Sequence, residues 1–339
     1  MRIAVDAMGG DHAPRAVVRG AVDALNFLDG DIRLVLVGQE DTVRAELAQL
    51  DGWAGRIDVE HATQVVGMDE VPVDAVRHKR DSSLMRMVAL AAAGNADAVV
   101  SAGNTGACAA ACQLRLKTLA GVQRSGIAVV IPSTQGPKIV CDVGANIAPK
   151  PHHMHQYALM CGIYGQHVLG MESPRVGLLS VGEEDMKGTQ LVKRAAQLIR
   201  DDSGVNFVGN VEGRDLFRGT CDVIICDGFV GNIVLKLTEG LAEGLFRTIR
   251  EEMKDHSAEL ASRFEPILQT IWAKHDYSEY GGAPLLGVNG VCIICHGSSD
   301  HRAICNAVRV AHRFVAERVN AAIVRHLGQS AKVRNEQTD

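Results

Sequence analysis

Short, unbroken apolar runs recur along the chain, with helical patterns between many of them. Arg2–Asp6, Ile32–Val37, Ile57–Glu60, Ala98–Ser101, Gly126–Ile131, Ile139–Val143, Val176–Ser180, Asn206–Val208, Val223–Cys226 and Val291–Cys295 read as strands. Pro14–Leu28, Asp41–Gln49 and Ala107–Leu119 read as helices, and Pro14 suits an early helical position. Such alternation marks an α/β protein with a mostly parallel sheet. Its strands are buried on both faces, so they show no polar alternation. The pattern predicts one large, doubly wound α/β domain over residues 1–330, built as two intertwined lobes. There is no internal repeat, and the polar tail from Gly328 is expected to fray.

One segment breaks this rhythm. From Leu241 to Lys274 the pattern gives two helices with no strand between them. Leu241, Leu245, Phe246, Ile249 and Met253 make one apolar face at helical spacing. Leu260, Phe264, Ile267, Leu268, Ile271 and Trp272 make another, with Pro266 expected to kink or restart the helix. The pair is expected to project from the sheet as a subunit interface, with Met253, Leu260 and Phe264 as a candidate membrane-touching tip.

Composition narrows the function. A net charge of −5 and an aromatic content of 4% argue against a nucleic-acid binder. No stretch offers the ~20 apolar residues that span a bilayer. The opening apolar run is too short for a secretory signal and gives way to Gly9-Gly10-Asp11-His12. Nine cysteines, an odd number set in apolar runs, point to reduced thiols in a cytoplasmic protein.

The chemistry is expected in the loops after the strands, where ligands of parallel sheets collect. Ala98–Gly106 is a strand, a tight glycine loop and a helix start. Unpaired helix-start N–H groups and the helix dipole favour an anion there. Gly103 and Gly106 permit close backbone approach, while Ser101, Asn104 and Thr105 add side-chain hydrogen bonds. Asp142–Asn146, Ser180–Gly188, Asn210–Asp215, Asp227–Asn232 and His296–Asp300 pair glycine with polar residues in the same way. Together they predict one composite polar site along one sheet edge.

Several motif matches fail. Cys292-Ile-Ile-Cys295-His296 has the letters of a c-type haem site but lies in a strand. Zinc there lacks a second ligand pair. His152, His153 and His155 beside Lys150 read as a polar helix start before a metal site. Asp69-Glu70 and Glu183-Glu184-Asp185 read as solvated turns before paired catalytic acids. The first strand–helix turn lacks the dinucleotide fingerprint, and no serine-hydrolase elbow occurs.

Asp6-Ala-Met-Gly-Gly-Asp11, Ser101–Gly106, Asp142–Asn146, Asn210–Asp215, Asp227–Asn232, Glu279-Tyr-Gly-Gly-Ala-Pro284 and His296-Gly-Ser-Ser-Asp300 form an ordered set over nearly the whole chain. The set resembles the bacterial phosphate acyltransferases (acyl-ACP:phosphate transacylases) of phospholipid synthesis. Arg124-Ser-Gly126 departs from the Arg-Pro-Ala usual in that family. The resemblance implies transfer of a fatty acyl group from acyl carrier protein (ACP) to inorganic phosphate. It implies a fold similar to isocitrate and isopropylmalate dehydrogenases and to phosphate acetyltransferase. It also implies a cytoplasmic, peripherally membrane-associated homodimer that feeds a membrane glycerol-3-phosphate acyltransferase.

For that reaction, Ser101, Gly103, Asn104, Thr105 and Gly106 are the expected phosphate site. His296, Ser298 and Ser299 would line the facing wall. Lys187 is the expected cationic clamp or proton donor, and Asp227 and Asn232 would orient it or the nucleophile. Asn146 and Lys150 complete the ring. No metal or cofactor is expected. Arg77, Lys79 and Arg80, or Arg302, Arg309 and Arg313, are candidate contacts for acidic ACP.

Overall fold

The apolar runs become strands whose successive side chains enter two different cores. In the computed structural model, residues 1–275 and 277–336 are described, except for the side chains at 260, 272–278 and 329–336. The first half contains β1 (Arg2–Asp6), α1 (Arg15–Ala24), β2 (Arg33–Gly38), α2 (Glu40–Leu47), β3 (Ile57–His61), α3 (Pro72–His78), α4 (Ser83–Ala92), β4 (Ala98–Ser101), α5 (Thr105–Leu116), β5 (Gly126–Ile131) and β6 (Lys138–Cys141). The second contains α6 (Pro151–His167), β7 (Val176–Leu179), α7 (Gln190–Arg200), β8 (Phe207–Val211), β9 (Val223–Ile225), α8 (Gly228–His256), α9 (Ala258–His275), β10 (Ala283–Leu286), β11 (Val291–Ile294), α10 (His301–Ala316) and α11 (Val319–Glu336).

One eleven-stranded sheet runs in the order β3-β2-β1-β4-β11-β10-β5-β6-β9-β7-β8. Helices cover both of its faces, so the fold is a doubly wound, mostly parallel α/β structure. Ile3 and Val5 of β1 pack into one core with α1, α6 and α10, whereas Ala4 packs into the other with α4 and α5. This alternation is the period-two geometry of a strand buried on both sides. Each fully buried Val, Leu or Ile contributes roughly 1.5–3 kcal/mol.

The sheet has an inversion that the apolar runs do not announce. β10 pairs antiparallel with both β11 and β5, and β5 pairs antiparallel with β6. Strands β1, β4 and β11 therefore run one way, and β6, β9, β7 and β8 run the other. The single shared rim expected for the polar loops becomes two sets of strand ends.

The helical pair is α8 and α9. Pro266 lies inside α9 without restarting it. Only Gly228 and Gly231 of α8 are buried, and Leu237 and Leu241 are 67% and 68% exposed. Leu260 and Trp272, assigned by the pattern to the second apolar face, lie outside the described side chains. Helix α11 runs to Glu336, through the stretch expected to fray.

Candidate active site

The first set of loops is built on three adjacent parallel strand ends. β1 pairs β4 with Val5 opposite Val100, and β4 pairs β11 with Ser101 opposite Ile294. Asp6 ends β1 and is buried, and its carboxylate accepts a hydrogen bond from Ser101 Oγ at 2.8 Å. Ser101 Oγ in turn accepts from the Gly103 amide at 3.0 Å. Burial raises the Asp6 pKa above the ordinary carboxylate value, against hydrogen bonds from Ser83 and Ser101. A Cβ at Gly9 would lie 2.7 Å from both Asp6 Oδ2 and the Gly103 nitrogen, so only glycine fits there. The Asp11 amide bonds Gly297 O at 2.8 Å, which ties the β1 loop to the β11 loop.

Asn104 caps α5 by accepting from the Ala107 amide at 3.0 Å. Its Nδ2 donates to the carbonyls of Met68 and Glu70 at 3.1 and 3.0 Å. Both ends of this side chain are thus engaged in holding the loop, which leaves an anion to the backbone. Thr105 and Gly106 are exposed in the first turn of α5, where amides have no intrahelical partner. His296 Nδ1 accepts from the Ser298 amide at 3.3 Å and lies 2.7 Å from Ser298 Oγ. This arrangement favours the tautomer whose proton is on Nε2. Ser299 is half-buried beyond them, and Asp300 caps α10.

The second set leaves β6, β9, β7 and β8. Asp142 is fully buried and accepts from the amides of Ile127, Ala145 and Asn146 at 3.0, 3.0 and 2.7 Å. Asn146 Nδ2 donates to Ser125 O at 2.7 Å and to Asp142 at 3.0 Å. Asp227 caps α8, accepting from Phe229 and Val230 at 3.0 and 2.9 Å. A Cβ at Gly231 would sit 1.9 Å from Asp142 O, so α8 starts against the Asp142 loop only because glycine stands there. Asn232 is half-buried in the first turns of α8.

Lys187 is exposed in the β7 loop and makes no ion pair with a described residue. That loop is held by Asn210 Nδ2, which donates to Glu184 O at 2.9 Å. Lys150 is exposed at the start of α6, where its amide donates to His153 Nδ1 at 3.0 Å. Burial, helped by His152, Arg124 and Lys150, lowers the His153 pKa to about 4. Arg124 therefore joins Lys150 in a positive neighbourhood. In the sequence Arg124 stands out only as a departure from the family motif, because its loop precedes a strand and does not follow one.

The structure thus places Asp6, Ser101–Gly106, His296, Ser298 and Ser299 in one set. Asn146, Lys150, Lys187, Asp227 and Asn232 fall in the other. Helix α8 leads from the second toward the first. Burial raises the Glu239 pKa, and His296 and Lys236 pull it back, so Glu239 lies within electrostatic reach of His296. Twelve residues at 1.5 Å each separate Glu239 from Asp227 by about 18 Å of helix.

Several candidate ACP contacts are engaged within the chain. Lys79 pairs with Glu70, Arg302 pairs with Glu279, and the Arg309 guanidinium lies 4.5 Å from the Phe27 ring centroid.

Comparison with known proteins agrees with this architecture. The model of the family described as "Fatty acid synthesis protein" matches residues 1–322. A phosphate acyltransferase of Heliobacterium modesticaldum is 47% identical over 330 residues, covering 96% of this chain and 98% of that protein. A phosphate acyltransferase of Halothermothrix orenii is 45% identical over 335 residues, covering 98% and 100%. A phosphotransacetylase from Streptococcus pyogenes has a similar fold, with a TM-score of 0.65, 16% identity and 94% coverage of each chain. The EutD phosphotransacetylase from Staphylococcus aureus has a TM-score of 0.61 at 15% identity, covering 93% and 94%. On a match spanning nearly its whole length, the chain belongs to this fatty acid synthesis family and is an enzyme of its phosphate acyltransferase branch.

Proposed function

We propose that this enzyme moves a long-chain fatty acyl group from acyl-ACP to inorganic phosphate, releasing acyl phosphate and free ACP thiol. The observation that carries this reading is the open first turn of α5, set between the Asp6–Ser101 support and His296. It offers an anion unpaired amides and the positive end of a helix.

The reaction asks little of a general base. A phosphate oxygen attacks the thioester carbonyl, the C–O bond forms, and the C–S bond breaks. The departing thiol has an ordinary pKa of about 8.5, so it leaves with modest acid help. Positioning can remove roughly 7–11 kcal/mol of the barrier when the reactants are held in line. In this reading the amides of Thr105 and Gly106 hold phosphate, and His296, Ser298 and Ser299 face it. Lys187, with Arg124 and Lys150, supplies positive charge from the second set of loops to the developing oxyanion or the leaving sulfur, in a site closed between the two sets along α8, whose Glu239 reaches His296. Asp227, Asn146 and Asn232 hold the loop geometry on which this depends.

The exposed apolar row Ile233, Leu237, Leu241 and Leu245 on α8 supports a homodimer, since these residues recur every fourth position on one helix. No described helix is long and apolar enough to cross a membrane. The same helical pair supports peripheral membrane contact by a cytoplasmic enzyme, with acyl phosphate passing to a membrane glycerol-3-phosphate acyltransferase. The phosphotransacetylase fold favours one second reading, in which an acyl-CoA is the donor. Side-by-side assays with long-chain acyl-ACP and the matching acyl-CoA test both. Faster phosphate-dependent thiol release from acyl-ACP is expected, and release from acyl-CoA alone would reverse the assignment.

A further inference from the structure

Cys108, Cys112 and Cys292 meet in the core beneath the first set of loops. Their sulfur atoms all lie within 4.8 Å of one another, and Cys108 Sγ is 3.8 Å from Cys292 Sγ. All three are buried, in the same core as Val99, Leu116 and Ile294. Cys108 and Cys112 stand one turn apart on a single face of α5, and Cys292 comes from β11. The mechanism proposed above uses none of them.

We propose that these three thiols form a binding site for a trivalent thiophile of the arsenite class. Soft thiolate donors select soft ions, and charge selects among those ions. Three thiolates around a monovalent ion carry a net charge of minus two, and around a divalent ion minus one. Around arsenic(III) they are neutral. The surrounding core is apolar, where an uncompensated charge is costly. Structural zinc also takes four ligands, and no fourth His, Cys, Asp or Glu among the described residues joins the group. Arsenous acid needs only three thiols. Three As–O and three S–H bonds break, three As–S bonds form, and three waters leave without electron transfer.

An occupied site would clamp α5 to β11. The Cys108 amide donates to Asn104 O at 2.9 Å, so the clamp acts one turn below the Ser101–Gly106 loop. Cys292 lies four residues before His296 on the other side.

The test is native mass spectrometry of the full-length reduced protein with stoichiometric sodium arsenite. One adduct is expected, gaining one arsenic and losing three hydrogens. Cys112→Ser and Cys292→Ser should each lose it while keeping their circular dichroism, and Cys305→Ser should keep it. Arsenic X-ray absorption on the unmutated protein should show three sulfur neighbours, which holds the test even where a serine variant fails to fold. No adduct, an adduct that survives both variants, an adduct lost in Cys161→Ser instead, or fewer than three sulfur neighbours would overturn the proposal. So would zinc that resists displacement by arsenite.

Discussion

Ser101→Ala removes the hydroxyl that joins the β1 and β4 loops. In the structure Ser101 is 1% exposed and bonds both the Asp6 carboxylate and the Gly103 amide. Alanine fits the space but leaves a buried amide without its acceptor and a buried carboxylate with one donor fewer. Orphaning a buried polar group costs about 1–3 kcal/mol. At about 2.1 cal/mol/K per residue, 339 residues carry an unfolding entropy near 0.7 kcal/mol/K, so Tm should fall by about 1.5–4 °C. Phosphate KM should rise because the loop that presents Thr105 and Gly106 loosens, while the acyl-donor KM stays unchanged. Adding Asp6→Asn to Ser101→Ala should cost less than the sum of the two single changes, because the groups act as one unit. The measurements are scanning calorimetry and phosphate saturation. Unchanged Tm together with unchanged phosphate saturation would refute the claim that Ser101 supports the anion loop.

Other positions give sharp outcomes. Lys187→Ala should leave Tm unchanged, since its side chain is exposed, yet slow acyl phosphate formation by about 10²–10³-fold if the ammonium stabilises developing charge; an unaltered rate removes it from the chemistry. Gly231→Ala should destabilise the fold by at least about 1–3 kcal/mol and so lower Tm, because a Cβ 1.9 Å from Asp142 O forces α8 away, and a normal Tm would show that the loop yields freely. Burial opposes ionisation of Asp222, but hydrogen bonds from Arg175 and Lys138 outweigh it and lower the pKa from 3.8 to about 2. A depressed carboxylate pKa stabilises the fold above its unfolded value. The stability advantage over Asp222→Asn should therefore hold at neutral pH and vanish as pH falls from 3.8 to about 2; an advantage that persists below that range contradicts the ion-pair account. Leu237→Asp with Leu241→Asp should shift sedimentation from dimer to monomer, and an unchanged dimer would place the interface elsewhere.

The strands were legible because burial on both faces writes continuous apolar runs, and β1, β4, β5 and β11 follow their runs within a residue. β10 was not legible. It spans four residues, contains Pro284 and follows Gly281-Gly282, so it reads as a turn. The reversal needs the antiparallel β5–β6 pair beside β10 as well, and strand direction depends on which distant strands pair, which no local pattern encodes. The Asn104 and Asp227 motifs were legible as polar loop residues, but each proves to cap a helix, and a cap and a ligand contact use the same residue types. The Cys108–Cys292 pairing joins residues 184 apart and has no sequence signal.

In the reaction proposed, the first turn of α5 presents phosphate to an acyl thioester. The most direct test is to incubate the purified enzyme with long-chain acyl-ACP and follow free ACP thiol at increasing phosphate. Thiol release should saturate with phosphate and match acyl phosphate formed, mole for mole. Release that ignores phosphate, or yields free fatty acid in place of acyl phosphate, would contradict it.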